Sequence, residues 1–309
     1  MSSWGQLDHR RQGFWQFLRL DPLLFLLLLL LAAVGLATVY SATGSSTQAL
    51  VAQAQRLGIG LITLLLVARC PPGWFHGLGI PGYLACILLL VAVHFVGTEV
   101  NGAQRWLDIG GVRLQPSELM KILLPLALAA MLAPANWPVG IWPLFTGLIM
   151  IGIPLSLIVI QPDLGTSLLV AAPGMFLLFL SGLRWYLLVL LTGLGLAALP
   201  VIWFSMYDYQ RERVLTMLNP EADPRGAGYH IMQSKIAIGS GGWAGKGWLE
   251  SSQARLEFLP EAHTDFIFAV FAEEHGFLGT IGLICLYIAI CARGLMIALH
   301  AGDRFGRLL

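Results

Sequence analysis

Charge is scarce in this chain. Only 11% of its 309 residues are Asp, Glu, Lys or Arg, whereas a soluble globular domain carries about 25%. That shortage excludes an ordinary soluble domain. The net charge of +1 argues against a nucleic-acid partner, which would need a basic face. Cysteine is also scarce. The four present, Cys70, Cys86, Cys285 and Cys291, show no CxxC spacing. They sit in or beside apolar runs, the ordinary place for a small buried thiol rather than a metal ligand. A cleavable leader is not apparent either. The first apolar run, 22–40, is too long and lacks a small-residue cleavage site, so it reads as a retained span.

Apolar residues fill the space that charge leaves. They make up 57% of the chain, and the mean hydropathy is +0.76. Eight apolar segments stand out, at 22–40, 48–68, 78–97, 117–134, 140–160, 165–181, 184–205 and 265–292. Their length fits membrane-spanning helices. The expected fold is an all-α polytopic membrane protein, one domain over 1–309, with a large polar and aromatic loop, 206–264, before the eighth span. Basic residues set the orientation. His9, Arg10, Arg11 and Arg19 precede the first span, and Arg69, Arg184, Arg293, Arg304 and Arg307 fall on its side if every segment crosses once. The opposite gap at 41–48 has no Lys or Arg. The N-terminus is therefore expected in the cytoplasm, with 98–116, the "QPDLGT" turn and 206–264 outside. Arg105 and Arg113 lie outside against this bias, which marks them as functional candidates.

Ionisable groups within spans cost about 2.5–3.5 kcal/mol each at the helix centre, so each one is informative. Glu118 and Lys121 in "QPSELMK" are three apart and share a helical face. They form either a self-paired interfacial bridge or the lining of a polar cavity. Pro162 interrupts an apolar run, and Asp163 after it can cap the sixth span or serve the site. The stretch "RLEFLPEAHTDFIFAVFAEEHGFLG" (255–279) brings Glu257, Glu261, His263 and Asp265 to the start of the eighth span. A carboxylate there is favoured by the helix dipole, so capping competes with chemistry for Asp265. In a straight helix Glu273 would lie about 12 Å deeper than Asp265, and about 80° around the axis. Glu274 would lie about 180° around. Lys121 is the expected partner of one of these glutamates. The glycine-rich "IGSGGWAGKGW" (238–248) is not a P-loop, since Ser240 replaces its first glycine and Gly247 its Ser/Thr. Lys246 with these glycines offers either contacts to a phosphate or sugar, or a flexible aromatic loop on the membrane surface.

Four stretches, "VNGAQRWLDIGGVRLQPSEL" (100–119), "QPDLGTSL" (161–168), "QSKIAIGSGGWAGKGW" (233–248) and "LEFLPEAHTDFIFAVFAEEHGFLG" (256–279), resemble the SEDS family (shape, elongation, division and sporulation). The resemblance runs over nearly the whole chain, with the motifs in order. It implies a bacterial inner-membrane peptidoglycan glycosyltransferase that polymerises lipid II into glycan strands for cell-wall elongation and rod shape. It also implies a class B penicillin-binding protein as transpeptidase partner, alongside other membrane proteins of the elongation complex. The family's essential aspartate, in the "HTDF" context, falls on Asp265. Arg105, Trp106, Glu118, Lys121, Asp163, Glu257 and Glu261 match motif positions and are, with Lys246, the candidates for substrate binding. Family members have ten spans. This chain stops at "FGRLL" after the eighth, so the C-terminal part of the family domain is expected to be absent and the activity of this form is open. It also carries Ser251 and Ser252 where the family commonly shows Gly-Thr before Gln253.

The expected reaction is a single displacement. An acceptor sugar hydroxyl attacks the anomeric carbon of a lipid-linked chain and the lipid diphosphate leaves, which inverts α to β. One base is needed for the hydroxyl, and Asp265 is the expected base. The diphosphate needs cationic help, from Lys121, Arg105, Lys246 or a divalent cation. Oxygen ligands would suit Mg²⁺ or Mn²⁺. The small positions of "PGYLAC" (81–86) and "AAPG" (171–174) are expected to line a groove for the lipid tail. Glu273 and Glu274 are expected to stabilise a polar core rather than react. Two other classes compete: a lipid II flippase, and a non-catalytic scaffold. A flippase needs a polar path through the full membrane, whereas the ionisable groups here gather on the outer half.

Overall fold

The computed structural model describes residues 19–309 except 101–102, 136–138, 162, 184, 207, 224–225, 256–257 and 259–261. In chain order its elements are α1 (Pro22–Ala42), α2 (Thr47–Arg69), α3 (Pro72–Val96), β1 (Thr98–Val100), β2 (Ala103–Ile109), β3 (Val112–Leu114), α4 (Pro116–Leu132), α5 (Ile141–Ile160), α6 (Leu164–Leu180), α7 (Trp185–Ser205), α8 (Asp208–Leu218), a 3₁₀ turn (Pro220–Ala222), α9 (Ala227–Ser240), α10 (Ser252–Arg255), α11 (Ile267–Leu299) and α12 (Arg304–Leu308). Each of the eight apolar segments coincides with a helix. Five of these helices, α1, α2, α3, α5 and α11, are long and apolar enough to cross a membrane. Leu164–Leu180 and the apolar part of α7 are shorter. The mostly helical, multi-pass expectation holds, with two additions. The 98–116 gap folds as a three-stranded antiparallel sheet. The 206–264 region is no open loop but carries α8, α9 and α10.

The chain forms two compact units. One comprises Leu199–Leu295 with the chain up to Arg69, and the other comprises Cys70–Ala198 with Met296–Leu309. The core of the second unit is built on α4, where Met120, Leu124, Ala127 and Leu128 are fully buried at helical spacing. Gly79 brings α3 against it: a Cβ there would stand 3.0 Å from the Leu126 carbonyl oxygen. Gly174 on α6 lies as close to Ile151 on α5. Small residues at helix crossings let backbones approach where no hydrophobic effect drives association. Interior prolines at 81, 125, 154 and 173 interrupt these four helices. Such breaks are tolerated where neighbouring helices satisfy the freed carbonyls. The Tyr83 hydroxyl, for example, donates to the Met150 carbonyl at 3.0 Å. The sheet turns β2 into β3 through Gly110 and Gly111, with φ of 61° and 87°. Two successive positive φ values are what a two-residue hairpin of this twist requires.

In the first unit Asp21 caps α1 by accepting from Leu24 N–H at 2.9 Å. The same carboxylate takes two hydrogen bonds from Arg293 near the end of α11, Nε to Oδ1 at 3.0 Å and Nη2 to Oδ2 at 2.6 Å. These bonds hold the Asp21 carboxyl below its ordinary range; desolvation opposes them, and the Leu24 amide adds to them. A carboxylate depressed in the folded state contributes stability above its unfolded pKa and loses it as pH falls through the folded value. Asn is as good a cap as Asp, so Asp21→Asn isolates the ion pair. We expect a small fall in Tm at neutral pH that disappears in acid, read by thermal unfolding at several pH values. An equal difference at acid and neutral pH would count against this bridge.

Candidate active site

The Asp265 segment is held by apolar packing on one side. Ala237 on α9 is buried with Ala42, Ala262, Ala269 and Val270, and Phe266 packs against this cluster. The His230 ring lies tilted over Phe266, with centroids 6.3 Å apart. Asp265 itself is exposed, in turns that lead into α11. It makes no hydrogen bond or ion pair with another described residue, so its oxygens are free to meet a substrate.

α11 is not one straight rod. Gly276 has φ 63° and ψ −161° in its middle. Unbroken, the helix would separate Ile267 from Tyr287 by about 30 Å. Both instead line one apolar cavity of about 190 Å³, with Leu31 and Gly35 of α1. The helix therefore doubles back at Gly276. Its first half runs parallel to α1, from Ile267 beside Leu31 and Gly35 to Glu274, which accepts from Ser41 Oγ. Its second half runs back until Arg293 meets Asp21. This reverses an expectation. Glu273 and Glu274 are not deeper than Asp265 along α1. They stand near the C-terminal end of α1, and Asp265 lies back toward its middle.

Residues 241–253 close over this bend. Lys246 N and Gly247 N donate to the carbonyls of Glu273 and Glu274, each at 3.0 Å. Phe277 N and Leu278 N donate to Gly242 and Trp243 at 2.8 and 3.1 Å. The Glu273 side chain is completely buried. It accepts from Lys246 Nζ at 2.6 Å, Ser251 Oγ at 2.6 Å, Ser252 Oγ at 2.7 Å, Ser252 N at 3.1 Å, Gln253 N at 3.3 Å and Ser240 Oγ at 3.4 Å. Glu274 also accepts from Leu249 N at 3.1 Å. The partner of Glu273 is thus Lys246 and not Lys121. A buried carboxylate needs a counter-ion and filled lone pairs, and the glycine-rich loop supplies both.

In the other unit Arg105 on β2 faces Asp163 at 3.4 Å, and its Nε donates to the Gln161 carbonyl at 3.3 Å. Gln161 in turn donates to the Leu90 carbonyl at 3.1 Å. Asp163 caps α6, accepting from Thr166 N at 3.1 Å. Trp106 is half-buried on the same strand as Arg105. Lys121 pairs with Glu118 at 2.7 Å, the local bridge that their spacing suggests. Glu257 and Glu261 lie outside the described residues.

No three His, Cys, Asp or Glu side chains converge among the described residues. The acceptors of Glu273 are filled by an ammonium, hydroxyls and amides, a donor set that repels a cation. The described residues assign no ligands to the Mg²⁺ or Mn²⁺ suggested by the sequence, and Glu257 and Glu261, beside Asp265 in the motif, lie outside them.

Residues 21–309 match the family model for the cell cycle proteins FtsW, RodA and SpoVE. The chain is a member of that family, the SEDS family. This SEDS chain is 47% identical over 300 residues to the peptidoglycan glycosyltransferase MrdB of Escherichia coli K12, covering 97% of this chain and 81% of that one. It is 35% identical over 306 residues to the probable peptidoglycan glycosyltransferase FtsW of Trichlorobacter lovleyi, covering 94% and 78%. Among solved structures it resembles a chain in a study of how a peptidoglycan synthase complex coordinates polymerization and crosslinking, with a TM-score of 0.77, 33% identity and coverage of 93% and 81%. It also resembles the rod shape determining protein RodA of Thermus thermophilus, with a TM-score of 0.65, 30% identity and coverage of 93% and 78%.

Proposed function

We propose that this SEDS protein is a peptidoglycan glycosyltransferase that polymerises lipid II for cell-wall elongation, with Asp265 as its general base. The observation that carries the activity is the 47% identity, over almost the whole chain, to a peptidoglycan glycosyltransferase. The observation that supports Asp265 is its position: an exposed carboxylate, bound to no other described residue, at the foot of a helix that lines apolar cavities. A lipid-linked sugar needs that combination, with water-accessible chemistry beside a surface that accepts hydrocarbon.

The acceptor hydroxyl hydrogen-bonds Asp265. As its oxygen attacks the anomeric carbon, the proton passes to the carboxylate. The bond from the anomeric carbon to the diphosphate oxygen breaks, and the electron pair leaves with the lipid diphosphate. Attack from the opposite face turns α into β. Developing charge on the leaving group calls for fixed cations. Lys121, Arg105 and Lys246 remain the candidates, each already oriented by a carboxylate. Trp106, Glu118, Asp163, Glu257 and Glu261 complete the proposed substrate-binding set. A divalent cation has no assigned ligands in this scheme.

The chain is proposed to sit in the bacterial inner membrane, with its N-terminus cytoplasmic and its active face outside. A class B penicillin-binding protein is the proposed partner, with other membrane proteins of the elongation complex. The test is incubation of the purified protein and its cognate transpeptidase with lipid II in vesicles. Glycan strands are expected. Transbilayer movement of lipid II without strands would favour a flippase, and neither activity would leave a scaffold.

A further inference from the structure

In the proposed mechanism Glu273 only orients Lys246, yet no other described carboxylate is bound by so many groups. Its donors come from one stretch of chain, 240–253, while Glu273 itself follows Asp265 by two helical turns on α11. The bonds from Ser251, Ser252 and Gln253 span 20 to 22 residues. They turn the segment from Gln253 to Glu273 into a closed loop, and Asp265 lies within it. The clasp is fixed again by backbone bonds of Lys246 and Gly247 to the carbonyls of Glu273 and Glu274.

We propose that Glu273 is a positioning residue for Asp265: it clasps the Asp265-bearing loop, through Ser251, Ser252 and Gln253, to the rigid first half of α11. The inference rests on the reading of Asp265 as base. The connection 256–266 between α10 and α11, unclasped, pays its closure entropy each time its ends meet. A clasp with an ion pair and five further donors settles that cost on folding. Burial strengthens the clasp, because Lys246 cannot leave without stranding a buried charge. Ser251 adds a further hydroxyl donor. Its hydroxyl fills Glu273 Oε2 at 2.6 Å, a bond glycine cannot make.

The test is Glu273→Gln in the full chain with its transpeptidase partner. Gln keeps the shape but loses the charge, and it turns one acceptor into a donor facing other donors. Two quantities are read: the stoichiometry of lipid II binding, and kcat per binding-competent molecule. Misplacing a catalytic group by about 1 Å costs up to about 100-fold in rate. We expect kcat per binding site to fall about tenfold to a hundredfold with binding stoichiometry retained, and the Ser251→Ala, Ser252→Ala variant, which leaves the Lys246 ion pair in place, separates the clasp from any loss at Lys246. A purely structural role would lower the stoichiometry and leave kcat per site unchanged, which would overturn the proposal. So would an unaltered enzyme. Should Glu273→Gln fail to fold, the double variant Ser251→Ala, Ser252→Ala decides. It removes two hydroxyl donors and keeps the ion pair; kcat per site should fall several-fold, and an unchanged value overturns the clasp. Asp265→Ala is run beside both. If it stays active the base assignment fails, whatever Glu273 does. If it is dead while Glu273→Gln has full kcat per site, only the clasp fails.

Discussion

Gly276→Ala is expected to lower the Tm of the detergent-solubilised protein by about 5–15 °C and to abolish most of its activity. Two costs add. The φ of 63° is left-handed, which costs an L residue roughly 1–2 kcal/mol. The new Cβ would also stand 2.3 Å from Gly245 N and under 3 Å from backbone atoms of Ala244. These atoms cannot retreat cheaply, because the flanking residues are tied across the bend by hydrogen bonds from Lys246, Gly247, Phe277 and Leu278. Overpacking of this kind costs about 1–3 kcal/mol. The same displacement would pull residues 246–253 away from Glu273, so activity falls further than stability alone would predict. Gly282→Ala is the control. It lies in the second half of α11, with nothing within 4 Å of an added Cβ, and alanine favours helix over glycine. Thermal unfolding and polymerisation are measured on both variants. If Gly276→Ala behaves like Gly282→Ala, the bend is not held by this glycine and the clasp loses its foundation.

The difference between these two glycines was not legible in the sequence. Both sit in one apolar run, and glycine is common in membrane helices. What separates them is a contact with Gly245, some 30 residues earlier in the chain. Local relations fared better. The Glu118–Lys121 bridge and the Asp163 cap needed only a spacing of three, and the structure shows both. The helices followed from apolar runs long enough to admit no other element. The sheet was legible and missed: Gly110-Gly111 sits between Ile109 and Val112, an ordinary hairpin signal. The partner of Glu273 was missed for a long-range reason. A straight helix put Glu273 below the loop that holds Lys246, and only the reversal at Gly276 brings the two together. Nothing in the sequence says that the hydroxyls of Ser251 and Ser252 face a buried carboxylate.

Asp265→Asn should divide the two readings of Asp265 most cleanly. If Asp265 is the base, the amide cannot take the proton of the acceptor hydroxyl. The rate should fall by about 10²–10⁴-fold, the usual worth of a positioned base. Lipid II binding and Tm should barely change, because the side chain is exposed and bonds to no other described residue. A helix cap would accept from the first N–H groups of α11, and Asp265 accepts from none of the described ones, so the alternative to a base is a side chain with no part in the reaction. Asn would then leave both activity and Tm unchanged. Asp265→Ala extends the comparison, since a lost base costs rate and not stability. A protein that is stable and inactive as both Asn and Ala carries its base at Asp265. One that stays active as both does not, and the base must then be sought among the remaining carboxylates, with Glu257 and Glu261 of the same motif first.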